Sequence, residues 1–589
     1  MSVNTSSQLG AVKDYVKDFL AAFEPSYYLL FIPFIIAVIY SIIMIKKGDT
    51  VFDKFMLKSK IRFKDGIKIT ASGIVLILLG FLYSDSLVNP IMQSELQTVS
   101  NVELFRYPSI PSVAVQNFGI IGFALDDIKT LFVPAPEEST VYYAAAPEVE
   151  ITDNTRTFDD SIWQEVINTE SDRNINNINN FLIHNRSTDK NDYTGLLEGK
   201  NIIVIMMESV GEIFLNEKYF PNFYKMYYEG FYFTNNYSPR NACATGNNEF
   251  SAITSLYSIY NNCTANVYKN NKYPESMISL FKDKGYHTVS MHDYTEAYYY
   301  RRTIHPNFGA EAYYGVEDLK IPYRNEYANW ASDEDFANRA MDIVLDSGQY
   351  SDAPFMLWMT TVTAHQPYSV ESISGSQYYS LFKDLPYHVE IKRYMSKLKN
   401  LDNALGILMD RLDKKGELEN TVFVLFGDHY PYGISLDKIK PVLNYDLSDY
   451  ENERTPFTIY APGVEGKEFN QYTSYINITP TVANLFNLDY DPRLYMGEDV
   501  LSENYDSKVV FADGSWKNDK IYYNAKSGSI KNYLDNDYTT ERIISINQEI
   551  TSKMNISSSI IKSDYFNKLY SKLATIKENK QEIALNEEE

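Results

Sequence analysis

Five short apolar runs, alternating with helical patterns, constrain this chain more than any other feature. They are Asn201 to Met207 (NIIVIMM), His287 to Met291 (HTVSM), Pro354 to Thr361 (PFMLWMTT), Thr421 to Phe426 (TVFVLF) and Thr455 to Tyr460 (TPFTIY). Short continuous runs of this kind, rich in β-branched and aromatic residues, mark strands buried on both faces. Ser276 to Lys284 and Glu390 to Lys414 read as helices between them. Strands alternating with helices predict an α/β domain with a mainly parallel sheet covered on both sides. In such sheets ligands bind beyond the carboxyl ends of the strands, so the residues just after each run are the first candidates for chemistry.

Glu208 directly follows NIIVIMM, and Asp428 with His429 follows TVFVLFG. Two carboxylates and an imidazole at one sheet edge form an oxygen-rich donor set that suits Mn²⁺, Mg²⁺ or Zn²⁺. Taken singly, Glu208 reads equally well as a helix cap, and an Asp-His pair is common in turns. Thr245 lies in RNACATGNNEFSAITSL, where an irregular stretch meets a helix expected to begin near Gly246. The ordinary role of Thr at such a junction is an N-cap. The same place aims its hydroxyl at the positive end of a helix, where a phosphoryl anion would be held. His292 follows HTVSM, Arg301 lies nine positions further on, and His365 follows the third run in TTVTAHQPY. Such a cluster binds phosphate oxygens and assists a leaving group.

The stretch Tyr27 to Ile45 carries no charge and is long enough to span a bilayer as a helix, and Ile69 to Ser84 is a shorter apolar run. Between them lie Lys46, Lys47, Lys54, Lys58, Lys60, Arg62, Lys64 and Lys68, which makes the intervening loop cytoplasmic and places the chain beyond Asp85 outside. The first run is too long, and its flank too basic, for a cleavable signal peptide. With 54 Lys and Arg against 77 Asp and Glu, a net charge of -23 argues against a nucleic-acid binder, which needs a basic face. Cys243 and Cys263 are too few for a disulfide scaffold or a thiolate zinc site. Pairing with each other and two isolated thiols are both open.

These residues divide the 589-residue chain into a membrane anchor over 1–86 (helices about 27–45 and 69–84, basic loop 46–68), an extracellular linker over 87–198, a catalytic domain over 199–525 and a C-terminal segment over 526–589. The linker carries a helical-looking run from Trp163 to Ile183. Thr539 to Lys577 reads as one or two amphipathic helices that pack on the catalytic domain, and EIALNEEE reads as a disordered tail.

The order ESVGEIFL, T-x-x-x-E-F (Thr245 to Phe250), H-D-Y with an Arg nine positions after the His, AHQPY and FGDHY resembles the extracellular domain of lipoteichoic acid synthases, within the alkaline phosphatase and sulfatase superfamily. The likeness runs through nearly all of residues 199 to 525. TPFTIYAPG, INITPTVANLF and FADGSW look like that family's closing strand, helix and small C-terminal antiparallel sheet. Five ordered motifs are far more specific than one. The resemblance implies that Glu208, Thr245, Asp428 and His429 bind one metal, usually Mn²⁺, with Thr245 also the nucleophile. It implies that His292, Arg301 and His365, with Tyr299 and Asp293 beside them, contact the phosphoglycerol group. The activity implied is transfer of glycerol phosphate from phosphatidylglycerol, through a phospho-threonine intermediate, to a hydroxyl on a glycolipid or polyglycerolphosphate acceptor at the outer face of a bacterial cell membrane.

Departures from the family pattern fall in the substrate pocket. Ala244 stands where members often have Lys, Tyr299 where they have Trp, and Asp293 lies one place closer to the preceding His; GDHYPYGIS carries two extra residues. Two apolar runs are visible where five membrane helices are common. Two other readings therefore stay open: a phosphoethanolamine transferase or phosphoesterase with the same centre, and a catalytically silent wall-binding relative. Sulfate hydrolysis is disfavoured, because the C/S-x-P-x-R sequence of sulfatases is missing around Thr245.

Overall fold

A computed structural model of the chain describes residues 160–588 apart from 261, 297, 323–328, 444 and 536–537. The expected membrane helices, the loop between them and most of the linker lie outside the described residues. Among those described, no helix is long and apolar enough to cross a membrane.

The described chain opens with helices α1 (Asp160–Thr169) and α2 (Arg173–Ile183), split where the Asp172 side chain accepts from Asn174 N at 2.8 Å and caps the second. Next come β1 (Asn201–Met207), α3 (Pro221–Tyr228), β2 (Phe231–Asn236), α4 (Ala244–Thr254), α5 (Met277–Asp283), β3 (His287–His292), α6 (Arg301–Asn307), β4 (Ala312–Tyr314), α7 (Asp333–Met341) and β5 (Phe355–Thr360). The second half holds α8 (Val389–Lys415), β6 (Thr421–Gly427), α9 (Leu436–Leu443), β7 (Phe457–Tyr460), β8 (Lys467–Thr473) and α10 (Ile478–Leu485). A small sheet of β9 (Val509–Val510), β10 (Trp516–Lys517), β11 (Ile521–Asn524) and β12 (Ser529–Asn532) precedes α11 (Thr540–Ser563) and α12 (Tyr565–Glu588).

The main sheet has eight strands in the order β4-β3-β5-β1-β6-β7-β2-β8. Strands β4, β3, β5, β1 and β6 pair in parallel, and β7 is antiparallel to both its neighbours. All five strands expected from sequence are present. Alternate residues of each central strand feed two separate cores: Ile202, Val204, Met206, Trp358 and Phe426 face one side, and Ile203, Ile205, Met207, Leu357 and Leu425 the other. A strand with no polar face must be covered twice, which is what α8 and its neighbours do on one side and α4, α5 and α10 on the other.

The helical-looking run read from Trp163 to Ile183 is present as α1 and α2 and carries Trp163, Val166, Ile175, Ile178 and Leu182 into the first core. One expectation changes. The acidic end, expected to be disordered, continues α12 to Glu588, as a stretch rich in Glu, Lys, Gln, Ala and Leu can. The amphipathic reading of residues 539–577 holds: Ile543 and Ile550 pack against Trp516 and Tyr523 of the small sheet, and Ile556, Ile560 and Tyr565 join the first core.

Candidate active site and metal centre

The site assembles where β1 and β6 end side by side. Met207 and Gly427 are partners in the ladder, and the next residue on β6 extends the pairing, with Asp428 N donating to Met207 O at 2.9 Å. Glu208 and Asp428 are therefore delivered as neighbours. Gly427 is required here, because a Cβ at that position would stand 2.5 Å from Val210 O. Ser209 turns the chain with φ 53°; its N–H donates to Asp428 Oδ1 at 2.7 Å and its hydroxyl to Glu208 Oε1 at 2.6 Å.

Glu208, Asp428 and His429 are all buried, and one ligand atom from each lies within 4.8 Å of the others. His429 Nδ1 donates to its neighbour's carbonyl, Tyr430 O, at 2.8 Å, which leaves the Nε2 lone pair facing Asp428 Oδ2 at 3.3 Å and Glu208 Oε1 at 3.8 Å. Asp428 Oδ2 has no hydrogen-bond donor. Burial, then the facing Asp428 carboxylate, push the Glu208 carboxyl well above its usual range. Two carboxyl groups, a lone pair and an orphaned oxygen converging in a buried space fit a cation, which would remove that repulsion.

Thr245 sits in the first turn of α4, and the residue at the helix N-cap is Cys243, in the left-handed region with φ 56°. Thr245 is thus not the N-cap, the Cys243 side chain makes no cap hydrogen bond, and the Thr245 hydroxyl lies 3.4 Å from His429 Nε2. Cys243 is disulfide-bonded to Cys263, Cα to Cα 5.3 Å. Asn247 spans the same junction, donating to Ala242 O and Asn262 O and accepting from Thr264 N at 2.8 Å.

The remaining candidates have the following partners. Arg301 begins α6 and is buried; its Nε donates to Glu249 Oε2 at 2.8 Å, while Nη2 has no partner. Glu249, one turn after Thr245 on α4, also accepts from Thr360 Oγ1 at 2.7 Å and Trp358 Nε1 at 3.1 Å. Burial acts to raise Glu249, but Arg301 and His305 outweigh it and hold the group ionised. The Tyr299 ring lies against Gly246, where a Cβ would meet it at 2.7 Å, and Arg301 stands over that ring at 5.1 Å.

His292 closes β3, and its Nδ1 donates to Thr360 O at 2.7 Å; burial, then Arg301, hold it well below the usual imidazole range. His365 Nδ1 donates to Gln366 O at 2.8 Å, and burial lowers this ring to about 4. Both imidazoles are neutral with Nε2 as the acceptor. Asp293, fully buried, interacts with the Asp333 carboxyl, and burial with that neighbour raises it well above the usual range. Among the described residues no donor reaches either Asp293 oxygen or Asp333 Oδ2, and burial raises the Asp333 carboxyl as well.

Sequence reasoning missed Ser209, Glu249, Asp333, Lys397 and Tyr432. Glu249 carried a signal, since i+4 from Thr245 is the same helix face. Tyr432 comes from the two extra residues after Asp428-His429 and stacks on the His429 ring at 4.3 Å. Ser209 stands inside ESVGEIFL beside Glu208, while Asp333 and Lys397 lie on helices with no motif.

A buried carboxylate and imidazole centre at the strand ends of such a sheet, beside a threonine at a helix start, could hold a metal ion. Residues 200–488 match the family model described as Sulfatase. The chain belongs to the sulfatase and alkaline phosphatase superfamily, and lipoteichoic acid synthases are distant homologues of it. Lipoteichoic acid synthase 2 of Bacillus subtilis (strain 168) is 24% identical over 400 residues, 64% of this chain and 60% of that protein. Lipoteichoic acid synthase of Staphylococcus aureus (strain USA300) is 25% identical over 428 residues, 67% of this chain and 61% of that protein. The match thus spans about three fifths of these relatives' length. A similar fold occurs in the crystal structure of the lipoteichoic acid synthase LtaP from Listeria monocytogenes, with a TM-score of 0.54, 21% identity, and coverage of 66% of this chain and 98% of that one.

Proposed function

We propose that this chain transfers glycerol phosphate from phosphatidylglycerol to a hydroxyl of a glycolipid or polyglycerolphosphate acceptor, at the outer face of a bacterial cell membrane, with Thr245 as nucleophile. The observation that carries this reading is the Thr245 hydroxyl in the first turn of α4, 3.4 Å from His429 Nε2, with the Arg301 guanidinium buried and its Nη2 unpaired. A buried cationic N–H without a partner is costly and marks a place for an anion. The distant lipoteichoic acid synthase homologues support the choice of donor.

Glu208, Thr245, Asp428 and His429 would hold one cation, Mn²⁺ in this reading with Mg²⁺ or Zn²⁺ as alternatives. Bound there, the cation supplies Lewis acidity that lowers the Thr245 hydroxyl pKa. Arg301 Nη2 and the first-turn amides of α4 bind the equatorial phosphoryl oxygens, and Tyr299 fixes the guanidinium plane. Thr245 Oγ1 forms a bond to phosphorus as the bond to the diacylglycerol oxygen breaks. The threonine proton passes to the neutral Nε2 of His365 and on to the departing oxygen. In the second half the acceptor hydroxyl gives its proton to the same atom, and Thr245 Oγ1 recovers one as it leaves. His292 Nε2 and Asp293 contact the glycerol end.

The test is fluorescent phosphatidylglycerol with Mn²⁺ and the full chain, beside the Thr245→Ala variant. Diacylglycerol release that needs Thr245, with a glycerophosphate mass on its peptide, is expected. Turnover of phosphatidylethanolamine alone would reassign the donor, and inertness toward both would leave a silent wall-binding protein.

A further inference from the structure

Lys397 lies on α8, and its side chain is fully buried. An ammonium in that position loses its hydration shell and needs a strong partner. The hydrogen bond it makes goes to a carbonyl: Nζ donates to His365 O at 2.5 Å, with the Tyr368 ring 5.6 Å away. The next carbonyl, Gln366 O, accepts from Trp330 Nε1 at 2.7 Å as well as from His365 Nδ1, and the Trp330 ring stands edge-on to the imidazole at 4.6 Å. The His365 loop is therefore held at two successive carbonyls. Burial lowers the Lys397 ammonium to about 7 against the attraction of Glu208 and Asp333; burial lowers the His365 imidazole, and Lys397 and His429 add to that.

We infer that Lys397 is the positioning residue for His365, pinning its carbonyl so that Nε2 faces the phosphoryl site and placing behind the ring a nitrogen that is cationic in the acid range. The inference rests on the reading of His365 as the proton carrier. Lys397 touches no substrate; it acts through His365. In the acid range where His365 titrates, Lys397 is protonated and its charge disfavours imidazolium, so His365 stays an unprotonated acceptor to lower pH.

Two variants of the full chain separate the two parts of this role. Lys397→Met removes charge and donor at similar length, and Lys397→Gln retains an N–H donor without the charge. The first readout is the pH dependence of diethyl pyrocarbonate modification of His365, followed by peptide mass spectrometry. The second is the pH profile of kcat and KM for donor cleavage. Both variants should move the His365 midpoint upward by about one pH unit, and the acid limb of kcat with it. K397M should lose about tenfold or more in kcat with donor KM changed by less than about threefold, and K397Q should retain more. Gln keeps the test available if the Met variant does not fold. A folded variant of either kind with the His365 midpoint and kcat profile of the wild type would reduce Lys397 to a packing residue and overturn the inference. If the midpoint moves while the wild-type chain shows no Thr245-dependent release of diacylglycerol, the coupling of Lys397 to His365 stands and the proposed transfer fails.

Discussion

At the scale of single residues, Gly246 is where packing bears most directly on Thr245, the proposed nucleophile. A methyl group there would stand 2.7 Å from Tyr299 Cδ1, and that ring underlies Arg301. Gly246→Ala should cost about 1–3 kcal/mol of stability through overpacking, and a larger share of kcat, because it displaces Tyr299 and Arg301 next to Thr245; thermal unfolding beside donor cleavage measures both. Glu208 gives a pH signature. A carboxyl whose folded pKa is raised keeps its proton in the native state after the unfolded chain has lost it, so stability falls as pH rises above the usual Glu value of about 4.3. Chelated protein should therefore melt at progressively lower temperature from about pH 5 toward neutrality, Mn²⁺ should reverse this, and Glu208→Gln should flatten both responses. Residues such as Glu208, Asp428 and His429 were legible because each ends an apolar run. Lys397 and Asp333 were not, because their meaning comes from partners on other elements: His365 O and the Asp293 carboxyl.

At the scale of elements, the start of α4 is held by contacts that reach outside the helix. Asn247 satisfies Ala242 O, Asn262 O and Thr264 N at once. Asn247→Ala leaves these groups without that partner, and should lower stability by about 1–3 kcal/mol and reduce phosphorylation of Thr245 more than it changes substrate KM, measured by denaturant unfolding and by intact mass after a single turnover. The central strands could be read from sequence because burial on both faces leaves no polar alternation to confuse them. Strand β2 (FYFTNN), β4 (AYY) and β8 (KEFNQYT) escaped notice: the first and last mix polar residues into a half-exposed pattern, and the second has three residues. Each lies toward an edge of the sheet, where tertiary pairing rather than local pattern decides the conformation.

At the scale of the whole molecule, the chain closes on itself. Tyr565 OH from α12 donates to Asn179 Oδ1 on α2 at 2.7 Å, Trp163 of α1 shares the same acceptor, and Lys572 pairs with Glu170 at 3.1 Å. A fragment beginning at residue 199 removes α1 and α2 and uncovers Ile556, Ile560 and Tyr565, each worth about 1.5–3 kcal/mol of apolar burial. It should melt at a lower temperature and aggregate more readily than a fragment beginning near residue 155; calorimetry and light scattering decide this. The boundary expected at residue 199 tracked the first strand, whereas the physical unit begins by Asp160. The Cys243–Cys263 link carries a consequence for when this machinery becomes whole. The turn that carries Thr245 gains this covalent closure only once two thiols have given up a pair of electrons, a chemical event separate from translation. A chain made among reductants lacks that closure and relies on the Asn247 contacts there until an oxidant takes those electrons.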